Sequence, residues 1–213
     1  MSDTFVGYAV VDFETTGSLP ENHDRLLEVS VVHLSPNGEV TGQWETIIRP
    51  ERDGQDRELL EREKARSTAM AESFPPSFQE ISGALARMLS QRVFVSHNAS
   101  HGLRFLRAEY LRIGLEIPIQ EQANALCTME LTEPRLLLRK SLKESCAAYD
   151  IELGNDPTTA DKARATAHLL KKIIQEVPKH PMWHQYLDRA SYHHWPRMFS
   201  RESAWVPRSA LSE

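Results

Sequence analysis

Two carboxylates stand two residues apart where an apolar run ends, in Val10-Val11-Asp12-Phe13-Glu14-Thr15-Thr16-Gly17. On a strand, residues i and i+2 point to the same face of the sheet. Asp12 and Glu14 therefore form a carboxylate pair at a strand end, an arrangement that can share a divalent cation. Metal-assisted hydrolysis needs further ligands and a base, so other segments must supply them if the pair is to do chemistry.

The elements that would carry these residues can be read from periodicity and turn signals. Val6 to Phe13 reads as a buried strand, and Leu26 to Leu34 as a second. Pro36-Asn37-Gly38 predicts a tight turn, so Val40 to Ile48 should return antiparallel. Residues 50–73 are charged and weakly periodic, and read as a loop with some helix. Ser77 to Leu89 has helical character. Val93-Phe94-Val95 is a short strand, followed by a helix with Leu103, Leu106, Tyr110 and Ile113 along one face. Ala123 to Cys127 reads as a fifth strand. Helices should start near Thr128 and at Ser141, the latter with Leu142 and Cys146 inward. The last long helix should run from about Pro157 to Glu176, with Pro157 in its first turn and an apolar stripe of Ala163, Ala167, Leu170 and Ile174. A hairpin meander followed by alternating strands and helices predicts an α/β domain with a mixed five-stranded sheet.

Composition bounds the rest. The 213 residues suffice for one sizeable domain with an appendage, and 40% hydrophobic with 26% charged residues is ordinary for a globular chain. Domain boundaries of 1–177 and 178–213 follow from a change after Val177. Pro178, Pro181, Pro196 and Pro207 then punctuate a stretch rich in Trp, Tyr and His that should pack back on the domain or on a partner. No run is long and apolar enough to span a membrane. The polar start, Met1-Ser2-Asp3-Thr4, does not read as a signal peptide, and Cys127 and Cys146 read as buried free thiols, which together predict a cytoplasmic setting. A net charge of −5 argues against broad coating of nucleic acid but leaves room for a local basic groove from Arg135, Arg139, Lys140 and Lys143 or from Arg104, Arg107 and Arg112. Those residues also read as ordinary solvated faces. His193-His194 reads as surface or interface histidines rather than a metal site.

With these residues in place, a resemblance emerges. Val10 to Gly17 resembles the first motif of the DEDDh 3′–5′ exonucleases, a family that includes the proofreading epsilon subunit of bacterial DNA polymerase III. Asp24-Arg25-Leu26-Leu27-Glu28-Val29 resembles the family's second strand. Val95-Ser96-His97-Asn98-Ala99-Ser100 resembles its second motif, Phe105 to Glu109 the helix after it, and Ala163 to Ala167 the helix of the third motif. The resemblance spans roughly residues 5–175 and implies a ribonuclease-H-like fold. It also implies two-metal phosphodiester hydrolysis, in which four carboxylates hold two ions, Mg²⁺ or Mn²⁺, and a histidine acts as general base.

This chain departs from that pattern. Asp12 and Glu14 keep two of the four carboxylates. The second motif, usually His-Asn-x-x-Phe-Asp, reads His97-Asn98-Ala99-Ser100-His101-Gly102, so the aspartate position is Gly102. In the third, Pro157 takes the position of the base and Lys162 that of the last metal ligand. The usual Gly-Ile-Thr loop is missing, with Arg66-Ser67-Thr68-Ala69 in its region. The family's nucleotide-binding positions correspond to Phe13, Thr15, Thr16, His97 and Asn98. On a helical wheel with Ala163 as zero and the apolar stripe centred near 10°, Lys162 falls at about −100°, whereas Asp161 falls at about 160° and points away from the sheet. His101 stands where the family has a core Phe.

Two opposing charges at about 4 Å and an effective dielectric near 20 attract by about 4 kcal/mol before desolvation. Lys162 is therefore expected to pair with Asp12 and Glu14 in place of a metal, leaving metal binding there weak or vestigial. Three functions stay open. The first is an exonuclease-fold protein, inactive or impaired, that keeps a cleft for a nucleotide or a single-stranded 3′ end or serves a nucleic-acid-processing assembly; it needs no metal. The second is an active exonuclease with a site rearranged around Asp161 or His101, using Mg²⁺ or Mn²⁺. The third is an interaction scaffold that binds a protein partner or itself through residues 178–213.

Overall fold

The computed structural model describes residues 6–50, 75–119 and 125–196. The expectations for residues 50–73, including Arg66 to Ala69, for Ala123, and for the end of the chain beyond Pro196 fall outside the described residues or at their edges. In chain order the elements are β1 (Tyr8–Thr15), a short 3₁₀ turn (Pro20–Asn22), β2 (Leu26–Leu34), β3 (Val40–Ile47), α1 (Phe78–Leu89), β4 (Val93–Ser96), α2 (Ala99–Arg112), β5 (Ala125–Cys127), α3 (Thr128–Leu136), α4 (Leu142–Ala148), α5 (Thr159–Glu176) and α6 (Pro181–Ser191). The five strands form a mixed sheet of order β3-β2-β1-β4-β5. β1 pairs antiparallel with β2 and β2 with β3, whereas β4 is parallel to β1 and to β5. This is a ribonuclease-H-like architecture.

Strand alternation divides β1 between two cores. Ala9, Val11 and Phe13 face α1 and α2, together with Phe94, Leu103 and Leu106. Tyr8 and Val10 face α5 and α6, together with Val32, Ala163, Ala167 and Leu170. Asp12 and Glu14 continue the second set, which turns both carboxylates toward α5. The small residues Ala163 and Ala167 let that helix lie close across β1 and β2. Because β1 and β4 are parallel neighbours, their C-terminal ends open on the same edge of the sheet, where ligand crevices form in α/β folds.

Several expected boundaries hold and some shift. β2 covers Leu26–Leu34, and the hairpin closes through Gly38 at φ +82° with Gly38 N donating to Ser35 O at 2.9 Å. β1 starts two residues later than expected, because Gly7 takes φ +114° and lies against the Leu34 carbonyl, leaving no room for a Cβ. It also runs on to Thr15 through a register shift at Glu14/Thr15. α5 starts at Thr159 with Thr158 as N-cap, so Pro157 precedes the cap and is not in the first turn. The capping box decides the start: Thr158 accepts from Asp161 N, and Asp161 in return accepts from Thr158 N at 2.9 Å.

The segment after Val177 packs back on the domain. Trp183, Leu187 and Ala190 of α6 join the α5-side core. The chain then passes the start of β4, where Gln91 N donates to His193 O at 2.8 Å, and delivers Trp195 into the opposite core. Trp195 is 2% exposed, packs on Tyr110 with ring centroids 5.7 Å apart, and its backbone N–H donates to Ser90 Oγ at 3.1 Å. One short segment thus reaches both faces of the sheet. Trp195→Ala should destabilise the protein by about 3–5 kcal/mol in urea unfolding, whereas Tyr192→Ala, at an exposed position, should change stability by less than about 0.5 kcal/mol.

Candidate functional site

The edge formed by the end of β1 and the first turn of α5 gathers most of the charged residues singled out in the sequence. Lys162 Nζ lies 3.5 Å from Asp12 Oδ2 and 3.3 Å from Glu14 Oε2. Both contacts are long for hydrogen bonds, so the ammonium sits between the two carboxylates rather than tightly on either. Asp12 is mostly enclosed, with its side chain 18% exposed, whereas Glu14 is half exposed. Burial lifts the Asp12 carboxyl from the ordinary aspartate value to about 6. Lys162 pulls it down, and the charges of Glu14 and Glu28 add to the rise. Burial alone would depress Lys162, but Asp12 and Glu14 together outweigh it and hold the ammonium above the usual lysine value. At neutral pH Asp12 is therefore mostly ionised and Lys162 is protonated.

Glu28 is a member of this cluster that motif reading left as part of a strand. It is buried, pairs across the sheet with Glu14, and its Oε2 accepts from Thr159 Oγ1 at 2.9 Å. The signal was a charged residue inside a strand that is otherwise almost wholly buried. Thr159 is the first residue of α5, so the carboxylates cluster at the helix end whose dipole favours negative charge. That same dipole disfavours Lys162 in the first turns, and the carboxylates offset it.

The other positions are placed as follows. Gly102 is buried on α2, and a Cβ there would meet Phe13 Cε2 at 3.1 Å and Phe94 Cζ at 3.5 Å, so the side chain of an aspartate would press on the Phe13 ring. Pro157 lies half-buried ahead of the α5 cap. Asp161 is occupied by that cap and by Arg164, 2.6 Å away, and stabilisation of its charge by Thr158 lowers its pKa. His101 stacks on Phe105 at 4.9 Å, and burial, with Arg104, lowers its pKa.

The nucleotide positions divide into two groups. Thr15 ends β1 and Thr16 opens the loop after it; Thr15 Oγ1 donates to Gly17 O at 2.7 Å and Thr16 Oγ1 to Asp24 Oδ1 at 3.2 Å. Asn98 is exposed and caps α2, accepting from His101 N at 3.4 Å. His97, by contrast, is buried and both ring nitrogens are engaged. Nε2 donates to Lys140 O at 2.9 Å, since a carbonyl can only accept, and Nδ1 accepts from Thr128 Oγ1 at 2.9 Å. Burial lowers its pKa, and the ring braces β4 against α3 and the following loop. Phe13 points to the opposite side of β1 from Asp12 and contacts the α1/α2 core.

This donor set does not fit a two-ion centre. It offers Asp12 and Glu14 with an ammonium between them and Glu28 bonded to Thr159, and the second-motif position, Gly102, has no side chain. Among the described residues, no group of three or more His, Cys, Asp or Glu is arranged to hold a metal.

Comparison with known proteins places the chain. Residues 9–156 match the family model described as Exonuclease. The chain belongs to the DEDDh 3′–5′ exonuclease family, whose members generally use divalent metals. The match ends one residue before Pro157, where the third motif departs from the pattern. The chain is 29% identical over 177 residues to the 3′-5′ exonuclease DinG of Staphylococcus haemolyticus, covering 82% of this chain and 19% of that protein. It is 30% identical over 201 residues to a putative bifunctional exonuclease/endonuclease protein of Mycobacterium tuberculosis, covering 87% and 29%. It therefore spans less than a third of the length of these relatives. Among solved structures, the nuclease domain of 3′hExo, a DEDDh family member, bound to rAMP, matches with a TM-score of 0.65 at 13% identity, covering 83% of this chain and 94% of that one. Cell-death related nuclease 4 (CRN-4) matches with a TM-score of 0.59 at 12% identity, covering 80% and 64%.

The buried carboxylate gives the site a pH signature. Asp12 binds its proton more tightly folded than unfolded, so its contribution to stability is present below about pH 4 and is lost as pH rises through about 6. A shift of about 2 units corresponds to about 3 kcal/mol. Asp12→Asn removes this dependence. In urea unfolding across pH, the stability of Asp12→Asn relative to the parent should rise by up to about 3 kcal/mol between pH 4 and 7, and a constant difference would contradict the assignment.

Proposed function

We propose that this chain is an exonuclease-family domain whose hydrolytic centre is inactive or severely impaired, and that it keeps a cleft for a nucleotide or a nucleic-acid 3′ end. The observation that carries this reading is the Lys162 ammonium between Asp12 and Glu14. A cation held there by two carboxylates opposes a divalent ion at the same place and offsets part of their charge without one. Catalytic groups of such a centre act as a unit, so replacing the base and two ligands removes far more than half of the activity.

The alternative of a rearranged active centre gains no support from Asp161, which is held by the helix cap and Arg164, or from His101, which rests on Phe105. Thr15, Thr16 and Asn98 stay accessible at the ends of β1 and β4, which supports retained binding of a nucleotide end. One structural neighbour of the same fold holds rAMP. The relatives named above are several times longer than this chain, which supports a role as one part of a larger nucleic-acid-processing protein or assembly. No helix among the described residues is long and apolar enough to cross a membrane.

The test is direct. Labelled single-stranded DNA and RNA incubated with the protein and Mn²⁺ should remain at full length, and Asp12→Ala should behave as the parent does. Shortening from the 3′ end that disappears in Asp12→Ala would overturn the proposal.

A further inference from the structure

The loop between β1 and β2, residues 16–25, carries Thr16 of the expected nucleotide surface. It is stiffened from within and tied down from behind. Inside, Thr16 N donates to Arg25 O at 3.0 Å, Arg25 N donates to Thr16 Oγ1 at 3.0 Å, and Leu19 N donates to Asp24 Oδ2 at 2.9 Å. Gly17 lies so close to the Asp24 carboxylate that a Cβ would collide with it.

Behind the loop, the attachment converges on one carboxylate of α2. Arg25 Nε and Nη2 donate to the two oxygens of Glu109, each at 2.8 Å. Leu26 N donates to Glu109 Oε1 at 3.2 Å, and Arg112 Nη1 lies 3.2 Å from the same oxygen. Arg112 Nη2 also donates to Pro20 O at 2.8 Å, in the middle of the loop. Glu109 is 1% exposed and Arg25 is 7% exposed. A bidentate pair of this kind fixes orientation as well as distance, and removing Glu109 would leave the buried Arg25 guanidinium without its bidentate acceptor. The further contact, Arg104 to Glu21 at 2.7 Å, is exposed on both sides and holds little by comparison.

α2 begins at the second motif, with Asn98 as its cap. In a metal-loaded member of the family, ions shared between the first and second motifs would join β1 to this helix at the cleft. Here position 102 is glycine and supplies no ligand. We infer that Glu109 is the positioning residue of the cleft, which, through Arg25 and Arg112, locks the first-motif loop onto α2 so that the nucleotide surface keeps its shape without a metal. The functional part of this inference rests on the nucleotide-cleft reading above, whereas the lock itself does not.

Hydrogen exchange on the full chain separates the two. Glu109→Gln and Arg25→Lys should speed exchange at the Thr16 and Arg25 amides at least tenfold and leave the α1 amides of Leu85 and Ala86 within twofold. Arg104→Ala and added Mg²⁺ should change neither set. Titration with AMP should show at least fivefold weaker binding to both loop variants than to the parent. The lock is overturned if the loop amides stay within twofold of the parent, or if the α1 amides accelerate in step with them. If Glu109→Gln does not fold, Arg25→Lys decides the question. If the parent binds no AMP while the loop amides respond as stated, the nucleotide reading fails and the lock stands.

Discussion

The constraint on which the cleft depends is electrostatic. Three carboxylates, Asp12, Glu14 and Glu28, are gathered where β1 and β2 meet the first turn of α5, and two of them are largely out of water. Unpaired charges in such a place are costly, so a cation must join them or a proton must neutralise them. Lys162 supplies the cation from the helix itself. The rise of the Asp12 pKa to about 6 despite that neighbour measures how much of the burden remains. On the proposed reading, this single positive charge stands in for the metal ions that the family generally uses.

The rest of the molecule is arranged around holding that contact. The Thr158–Asp161 capping box sets where α5 begins, and hence which residue reaches the carboxylates. Ala163 and Ala167 let the helix approach the sheet closely enough for the lysine stem to span the gap. α6 and Trp195 then close both faces of the sheet and hold the α5 layer in place. On the other side of β1, the buried Arg25–Glu109 pair performs the matching task for the loop and α2. The cleft is therefore bounded by two ion pairs that the chain carries within itself.

Much of this was legible in the residues. The run Leu26–Leu34 and the Pro36-Asn37-Gly38 turn fixed the hairpin, and the helical wheel placed Asp161 away from the sheet and Lys162 at the edge of the apolar stripe. The Lys162 contact follows from that edge position together with a long flexible stem. What stayed hidden depends on contacts distant in sequence. His97 reads as part of a nucleotide motif, yet Thr128 and the Lys140 carbonyl, 31 and 43 residues away, engage both its nitrogens. Glu28 and Glu109 joined their clusters only once β2 and α2 were set in space. Pro157 fell outside α5 because a threonine with an aspartate three residues later caps more strongly than a proline starts a helix.

We propose that the ammonium of Lys162 occupies the place of a metal. Crystals of the parent and of Lys162→Met, both soaked in Mn²⁺, test it through anomalous scattering. No manganese should lie beside Asp12 in the parent, with Lys162 Nζ between Asp12 and Glu14, and a manganese should bind Asp12 once the charge is removed. A manganese ion ligated by Asp12 in the parent, with Lys162 displaced from the carboxylates, would contradict it.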